Sequence, residues 1–473
     1  MSVYKSELKL AMQRVKQIHF VGVGGVGMSG IAELFANLGF SVTGSDQKES
    51  IVTNRLVESG IKVFIGHFAD NVNGADVVVT STAIEDSNPE KIAALKQGIT
   101  IIRRAEMLAE LMRFKFGIAV AGTHGKTTTT SLVASILTEG GFDPTYVIGG
   151  KLISSAVNAK LGSGRYLVAE ADESDASFVH LSPMMSIITN VDEDHMETYN
   201  GSVDKLHQTF IEFVHNLPFY GQVIVCIDDT GVQNILPKLS RHIISYGFSK
   251  DADIRAHSLS YSGGITNFKV DRVGHTSLNL SLNMPGEHNV LNSLAAIAVA
   301  TDLGVDDESI SGALKIFKGV GRRFQQYGDF MINNKTVKVI DDYGHHPSEI
   351  FATIKAARGC CDKQRLVFVF QPHRYSRTLD LFDDFVQALN TVDILILLEV
   401  YPAGEEKIDG SDSRSLAKAI RVRGVVEPTV IDSPNEVIEL LESIVKDNDL
   451  VLLSGAGDIG SVAPKIESMW EAI

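Results

Sequence analysis

Cysteine is scarce in this chain of 473 residues, which contains only Cys226, Cys360 and Cys361. The number is odd, two of the three are adjacent, and none has the spacing of a metal-binding pair. We therefore expect no cysteine metal site, and this cysteine usage is typical of a protein in the reducing cytoplasm.

Long apolar segments and a surplus of positive charge are missing as well. The longest apolar runs, such as residues 394–398, are far too short to cross a bilayer, and residues 1–16 contain no apolar signal core. The formal net charge of -15 argues against general nucleic-acid binding, because such binding needs a basic face. We therefore expect a cytoplasmic protein with no membrane insertion and no nucleic-acid partner. Small anionic ligands stay possible, because local amides and a few cations can hold them.

The chain is too long for a single core, since domains average about 150 residues. Apolar runs of strand length alternate with helical patterns throughout, which favours an α/β fold with parallel sheets. A strand followed at once by a Gly-rich or polar loop and then a helix recurs along the sequence. This recurrence predicts three domains, with boundaries near residues 107 and 323, so that they span residues 1–107, 108–323 and 324–473.

The first such loop has the pattern G-x-G-x-x-G, formed by Gly22, Gly24 and Gly27 after an apolar run. Asp46 ends the next apolar run, at the distance where dinucleotide-binding enzymes place an acid for the ribose. Taken alone, the pattern favours a nicotinamide site. However, close backbone approach and a helix N-terminus suit any nucleoside diphosphate, and a tight turn without a ligand is a further alternative.

The second loop, Gly122–Thr128, places a lysine and a hydroxyl at the start of a helix. Its amides can surround phosphates, Lys126 can reach the β and γ phosphates, and Thr127 can bind Mg²⁺. The loop departs from the usual Walker spacing because residue 120 is Val120 rather than glycine. The pattern predicts a variant nucleoside triphosphate site.

Carboxylates follow two further apolar runs. The run at residues 166–169 is followed by Glu170, and the run MMSIITN precedes a loop that contains Asp192, Glu193 and His195. A carboxylate at the end of a neighbouring strand is where a Mg²⁺ beside the phosphate loop needs an oxygen ligand. We expect the two strands to aim Glu170 and His195 at one point, whereas Asp192 and Glu193 fit a solvated loop.

Eight motifs together resemble the Mur ligases of bacterial peptidoglycan synthesis: AGTHGKTTT, AEADESD, TNVDEDHM, GEHNVLN, GRRF, DDYGHHPSE, QPHRYSRT and SGAGDIG. They occur in the expected order over essentially the whole chain. The resemblance implies three domains: an N-terminal Rossmann-like domain for the UDP-substrate, a central P-loop-type ATPase with a mostly parallel sheet, and a C-terminal Rossmann-like domain that brings the amino acid and closes over ATP. The N-terminal HFVGVGGVGMSGIAE resembles the branch of the family that uses L-alanine.

The resemblance also implies roles for residues at matching positions. The ATP site would comprise Gly122, Thr123, His124, Gly125, Lys126, Thr127, Thr128, Glu287, His288, Asn289, Asn292, Arg323 and Asp342. The UDP-substrate site would comprise Gly22, Gly24, Gly25, Gly27, Met28, Ser29, Asp46, His67, Ser81, Thr82, Glu173 and Ser174. The amino acid would be bound by Tyr343, His345 and Arg374. Metal ligation would fall on Thr127, Glu170 and His195, and catalysis on Lys126, Glu170, His195 and Arg323.

The implied reaction joins L-alanine to the lactyl carboxylate of UDP-N-acetylmuramate through an acyl phosphate, with ATP and Mg²⁺, in a monomer or weak homodimer. ADP and phosphate are released. Several relatives use a carbamylated lysine near a second metal. Here Lys205 is not at the matching place, so we expect no carbamate.

Three other functions remain open at this point. A recycling ligase that attaches a whole tripeptide to the same sugar nucleotide shares the phosphate-loop motif. A nicotinamide-dependent dehydrogenase accounts for the first loop only, and a non-catalytic nucleotide-binding regulator would not need the catalytic set. Individual residues have plainer interpretations too. His288 and Asn289 fit a polar helix start, and Arg374 fits a surface ion pair with Asp380 or Asp383.

Overall fold

The computed structural model describes residues 11–154, 157–360 and 364–473. Within them the chain forms three sheets, mostly parallel, with helices between the strands, so the predicted three-domain α/β class is confirmed. The described residues form two compact units. One holds those up to Ser258 with Phe268–Ser281 and Leu291–Phe317, and the other holds Leu259–Asn267, Leu282–Val290 and the described part of Lys318–Ile473. The boundaries at residues 107 and 323 stay a prediction. None of the helices in the described ranges has the length and apolarity needed to cross a membrane.

The first sheet has the strand order β3-β2-β1-β4-β5 with every neighbouring pair parallel, which is the order of the first five strands of a Rossmann fold. Its β4 sequence VVVT is buried throughout, as expected for a parallel strand covered on both faces. The strands are β1 (Gln17–Val21), β2 (Ser41–Asp46), β3 (Lys62–Ile65), β4 (Val77–Thr80) and β5 (Thr100–Arg103). The helices are α1 (Val26–Leu38), α2 (Ile51–Glu58), α3 (Pro89–Gln97) and α4 (Arg104–Met112).

The central sheet has ten strands in the order β15-β14-β13-β12-β11-β10-β6-β9-β7-β8. Its strands are β6 (Phe116–Ala121), β7 (Thr145–Val147), β8 (Ala159–Lys160), β9 (Tyr166–Glu170), β10 (Met185–Ile188), β11 (Gln222–Cys226), β12 (His242–Gly247), β13 (Ile254–Ser262), β14 (Ile265–Arg272) and β15 (Leu278–Leu282). The helices are α5 (Lys126–Glu139), α6 (Val203–His215), α7 (Thr230–Ile235), α8 (Glu287–Asp302) and α9 (Asp307–Ile316). Because β6 pairs in parallel with β9 on one side and β10 on the other, the loops after these three strands share one edge.

The third sheet has the order β20-β19-β18-β21-β17-β16-β22, parallel from β20 to β17, with β16 and β22 antiparallel at one edge. Along β18, alternate residues enter the cores on the two faces, and all five are buried. The strands are β16 (Gln325–Ile332), β17 (Lys335–Asp342), β18 (Leu366–Phe370), β19 (Ile394–Leu398), β20 (Pro428–Ile431), β21 (Asp449–Ser454) and β22 (Glu471–Ala472). The helices are α10 (Pro347–Cys360), α11 (Tyr375–Asp380), α12 (Phe382–Leu389), α13 (Ser413–Arg423), α14 (Glu436–Ile444) and α15 (Val462–Met469).

Candidate active site

The first glycine loop connects β1 to α1, as predicted. The Gly24 N–H donates to Oδ2 of Asp46 at 2.9 Å, so this carboxylate holds the backbone of the loop. A Cβ atom on Gly24 would lie 2.7 Å from the same oxygen, and one on Gly27 would collide with the guanidinium of Arg104. Helix α1 begins after Gly25 with no side-chain cap, which leaves its first amides for an anion.

The other residues predicted for the UDP-substrate differ in how far their side chains can take part. Met28 and Ser29 are buried, and the Ser29 hydroxyl accepts a hydrogen bond from Asn158 at 3.3 Å. These two residues are therefore available to a nucleotide chiefly through their backbone. His67 follows β3 and Ser81 and Thr82 follow β4, at the same edge as the glycine loop.

The phosphate loop connects β6 to α5, again as predicted. Gly122 and Gly125 have φ of +126° and +81°, a region that favours glycine. A Cβ atom on Gly122 would collide with the Thr189 hydroxyl, so the loop also packs tightly. Helix α5 begins at Lys126 with no side-chain cap, and its first-turn amides can meet phosphate oxygens.

Lys126 is held by a buried carboxylate in this structure. Its ammonium group lies 2.7 and 2.9 Å from the two oxygens of Glu173 and also donates to the carbonyl oxygens of Gly122 and Thr123. Burial works against the charge of Lys126, but Glu173 and Asp172 outweigh it and raise the lysine pKa. Burial, opposed by Lys126, raises the pKa of Glu173 to about 7. The motif predicted Glu173 for the UDP-substrate, and its pairing with Lys126 was not predicted.

Two of the three predicted metal ligands are in contact. The Thr127 hydroxyl donates to Oε2 of Glu170 at 3.2 Å, beside the uncapped start of α5. A hydroxyl and a carboxylate oxygen form the hard donor set that Mg²⁺ prefers, so these residues fit that ion. His195 lies in the loop after β10, with φ of +54° and its Nε2 atom 3.6 Å from Asp194. The strand order therefore places the Glu170 and His195 loops on opposite sides of the phosphate loop.

The residues after β10 also hold His124 of the phosphate loop. The His124 N–H donates to Asn190 at 2.8 Å, and the His124 carbonyl accepts from Asn190 and from Thr189. The His124 ring lies 3.0 Å from a carboxylate oxygen of Asp192. Asp192 was expected in a solvated loop, but it contacts the phosphate loop. The signal available in the sequence was its position in the loop after an apolar run, and the structure shows that this strand lies next to β6.

Helix α8 carries two of the asparagines predicted for the ATP site. Asn289 is buried and donates to the Pro285 carbonyl at 2.7 Å, which fits the polar helix start considered above. Asn292 accepts a hydrogen bond from Thr129 at 3.2 Å. A Cβ atom on Gly125 would collide with Asn292, so this asparagine lies against the phosphate loop.

The remaining predicted ATP residues lie in the second compact unit. Glu287 pairs with Lys355 at 2.6 Å. Burial lowers the pKa of His288, although the Asp342 carboxylate opposes this. The two oxygens of Asp342 accept from the Phe324 N–H at 2.7 Å and the Gly344 N–H at 2.8 Å. The carboxylate therefore holds the backbone before β16 and the backbone after β17.

Four rings lie in a row in the second unit, after β17, β18 and β19. Tyr343 and His345 have ring centroids 5.7 Å apart, His345 and His373 are 5.8 Å apart, and His373 stacks on Tyr401 at 5.5 Å. The guanidinium of Arg323 lies 4.9 Å from the Tyr343 ring centroid. The structure therefore groups Tyr343 and His345, which were predicted to bind the amino acid, with Arg323.

Arg374 lies at one end of this row in an unusual backbone conformation, with φ of +71°. Its N–H donates to the Tyr401 carbonyl at 2.8 Å, and its guanidinium lies 3.8 Å from Glu405. Glu405 also accepts from Ser376, and despite burial these contacts lower the glutamate pKa. A non-glycine residue at positive φ is strained, and such strain concentrates at functional sites. Glu405 was missed because it follows a different strand.

Three models of one family match consecutive parts of the chain. The Mur ligase family catalytic domain matches residues 17–116, the Mur ligase middle domain matches residues 120–300, and the Mur ligase glutamate ligase domain matches residues 322–457. The fold is similar to the crystal structure of UDP-N-acetylmuramate-alanine ligase MurC from Thermotoga maritima. That similarity has 32% identity and a TM-score of 0.81, and it covers 96% of this chain and 98% of the other.

The chain belongs to the Mur ligase family. This Mur ligase is also similar to a murein peptide ligase from Psychrobacter arcticus, with 26% identity and a TM-score of 0.71 over 96% of this chain and 98% of that one. The UDP-N-acetylmuramate:L-alanyl-gamma-D-glutamyl-meso-diaminopimelate ligase from Neisseria meningitides is 29% identical, with a TM-score of 0.60 over 64% of this chain and 98% of that one. Membership makes the chain an ATP-dependent ligase of peptidoglycan synthesis.

Proposed function

We propose that this Mur ligase joins L-alanine to the lactyl carboxylate of UDP-N-acetylmuramate in the cytoplasm. The supporting observation is the likeness to the alanine ligase, which is stronger in identity and in TM-score than the likeness to the murein peptide ligase over the same share of the chain. The recycling reaction is the second candidate, because that likeness also spans nearly the whole chain.

The proposed assignment follows the three sheets. The uridine nucleotide would lie at the glycine loop of domain 1–107, where uncapped amides of α1 meet the diphosphate. ATP would lie at the phosphate loop of domain 108–323, and the amino acid would bind in domain 324–473. Thr127, Glu170 and His195 would hold Mg²⁺, which supplies charge neutralisation to the phosphates.

In the proposed reaction, the γ-phosphoryl group of ATP passes to the lactyl carboxylate, giving an acyl phosphate and ADP. The neutral amine of alanine then attacks the acyl carbon, and phosphate leaves. Lys126 would turn from Glu173 to the transferring phosphoryl group, where its charge stabilises the transition state. The first-turn amides of α5 would orient the same phosphates, so the loop contributes position as well as charge.

The amino-acid subsite is proposed at Tyr343, His345 and Arg374. Arg374 is the residue suited to the carboxylate of alanine, because its guanidinium can form two parallel hydrogen bonds. The backbone conformation of Arg374, with positive φ, sets the direction of its Cα–Cβ bond. Glu405 lies close enough to orient the guanidinium before alanine binds.

Phosphate release by the purified full chain separates the candidates. UDP-N-acetylmuramate and ATP are supplied with L-alanine, L-serine, glycine or the tripeptide L-alanyl-γ-D-glutamyl-meso-diaminopimelate, one at a time. We expect the highest kcat/KM with L-alanine. Preference for the tripeptide would replace the proposal with the recycling reaction, and ATP turnover independent of UDP-N-acetylmuramate would contradict both.

A further inference from the structure

A buried polar cluster lies inside the first sheet, next to the edge where the substrate is proposed to bind. It consists of His19 on β1, Ser45 on β2, Glu90 on α3, and His67 and Asn71 in the segment after β3. The side chains of His19, Ser45 and Glu90 are fully buried. Such a group of polar side chains in a core is stable only when its hydrogen bonds are satisfied.

Glu90 is the acceptor at the centre of this cluster. Its Oε2 atom accepts from the Ser45 hydroxyl at 2.6 Å and lies 3.4 Å from Nε2 of His19, and its Oε1 atom accepts from the Asn71 amide. Burial would raise the pKa of Glu90, but the hydrogen bonds from His19, Ser45 and Asn71 outweigh it and lower the pKa. The carboxylate is therefore ionised at neutral pH, and every group around it must donate.

This arrangement determines the hydrogen position on His67. Ser45 donates its only hydrogen to Glu90, so its oxygen is left as an acceptor. Nδ1 of His67 lies 3.0 Å from that oxygen and must therefore carry a hydrogen. In a neutral imidazole the lone pair is then on Nε2, which has no hydrogen-bond partner among the described residues.

We propose that Glu90 and Ser45 are positioning residues for substrate recognition. They hold His67 in the tautomer whose Nε2 atom accepts a hydrogen bond from the uridine part of the substrate, either an imide N–H or a ribose hydroxyl. This inference rests on the proposed function, because His67 is assigned to the UDP-substrate only there. Glu90 acts on His67 without touching the ligand. It is linked to Nδ1 of His67 by two hydrogen bonds through Ser45, and its Oε2 atom itself lies 3.5 Å from Nδ1.

Ser45→Ala in the full chain tests this relay, the hydrogen-bonded chain from Glu90 through Ser45 to His67. The substitution removes only the hydroxyl group. The backbone carbonyl of Ser45, which accepts from the Gly22 and Val23 amides at 2.8 and 2.9 Å, is kept. We expect the Kd for UDP to rise about tenfold by isothermal titration, the loss typical of one hydrogen bond, with ATP affinity unchanged. Nitrogen NMR of the His67 ring, assigned by the signal lost in His67→Gln, should show hydrogen on Nδ1 in the parent and a mixture of tautomers in Ser45→Ala.

Thr43→Val is the matched control, because Thr43 bonds Nδ1 of His19 at 2.8 Å on the far side of the same cluster. It should lower the Tm and leave the Kd for UDP unchanged. Equal weakening of UDP binding by both variants would overturn the relay, since loosening of the cluster would then explain the effect. Hydrogen on Nε2 of His67 in the parent protein would overturn it without any variant. If the parent protein does not bind UDP, the proposed function fails instead.

Discussion

Lys126, the proposed catalytic lysine, forms an ion pair with Glu173 in the structure without substrate. The lysine that we propose for phosphate pairs with a carboxylate that is itself almost fully buried. Breaking a buried ion pair by removing one partner costs about 3–5 kcal/mol, because the other charge is left uncompensated. A variant of the lysine alone therefore mixes a catalytic effect with a stability effect.

Lys126→Ala should abolish ligation and also lower the free energy of unfolding. The loss of stability should be larger at pH 9 than at pH 6. Burial raises the pKa of Glu173 to about 7 even with Lys126 present, and removing the lysine should raise it further. At pH 6 the Glu173 carboxyl of the folded variant is therefore protonated and carries no uncompensated charge, whereas at pH 9 more of that charge remains. Urea unfolding at both pH values measures this, with phosphate release for activity.

The double variant Lys126→Ala/Glu173→Gln separates the two effects. It should recover most of the stability and none of the activity. Near-normal turnover in either variant would remove Lys126 from the mechanism, and equal stability losses at pH 6 and pH 9 would show that Glu173 does not titrate in this range.

Arg374→Lys should raise the KM for alanine at least tenfold, about 1.4 kcal/mol, with little change in the KM for ATP. Lysine keeps the charge but cannot form two parallel hydrogen bonds. Arg365→Lys is the matched control in the same strand–loop unit, because Arg365 pairs with Asp449 at 2.6 Å at the other end of β18. The control should affect stability only. A shift in the ATP constant with Arg374→Lys would instead indicate a phosphate-binding role.

The N-terminus of helix α13 leads to a prediction about stability at acid pH. Asp412 caps α13 by accepting from the Ser415 N–H at 2.8 Å, and Lys407 lies 2.9 Å away. The Ser415 and Lys407 hydrogen bonds lower the Asp412 pKa to about 2. A lowered pKa gives stability that is present above the unfolded value near 4 and is lost as the pH falls toward 2.

Asp412→Ala should therefore cost about 1 kcal/mol at pH 7, the usual value for an N-cap. The difference between parent and variant should narrow as the pH falls below about 4. Thermal unfolding of both proteins at pH 7, 4 and 3 measures the gap. Asp412→Asn, which can still cap the helix, should keep much of the stability at pH 7, and a gap that does not depend on pH would contradict the assigned charge effect.

The elements that carry the motifs could be predicted because local pattern determines them. Each of the two glycine loops follows a strand, β1 or β6, and precedes a helix, as the recurring pattern predicted. Asn289 could be interpreted from sequence as a polar helix start, and it bonds the Pro285 carbonyl. These features depend on residues that lie within a few positions of one another in the chain.

The contacts that complete the site could not be predicted in this way. Glu173 meets Lys126 across 47 residues, and Ser45 meets Glu90 across 45. These pairs depend on strand order, which periodicity does not determine. In the third sheet β18 follows β17 in sequence, yet β21 lies between them. Without that order, the row of rings from Tyr343 to Tyr401 has no signal in the sequence beyond each residue's position after a strand.

The proposed assignment of the UDP-substrate to the first sheet predicts that the protein does not bind nicotinamide dinucleotides. The glycine loop matches the nicotinamide pattern, but Asp46 accepts a hydrogen bond from the Gly24 amide, and the substrate that we propose for this loop is a UDP-sugar. Isothermal titration of the full chain should show UDP binding and no binding of NADH up to millimolar concentration. Micromolar NADH binding would overturn the interpretation of Gly22–Gly27.

The first sheet takes all of its strands from one continuous stretch, Gln17 to Arg103. Ribosomes add roughly 5–20 residues per second, so the rest of the chain takes on the order of tens of seconds to emerge after that stretch. The second compact unit, by contrast, draws Leu259–Asn267 and Leu282–Val290 together with Lys318–Ile473. The packing of those two short segments within the second unit can be completed only after residues 318–473 have been made, whereas the glycine loop and its buried cluster can form earlier. Nascent chains stalled before residue 318 should thus carry a protease-resistant N-terminal core.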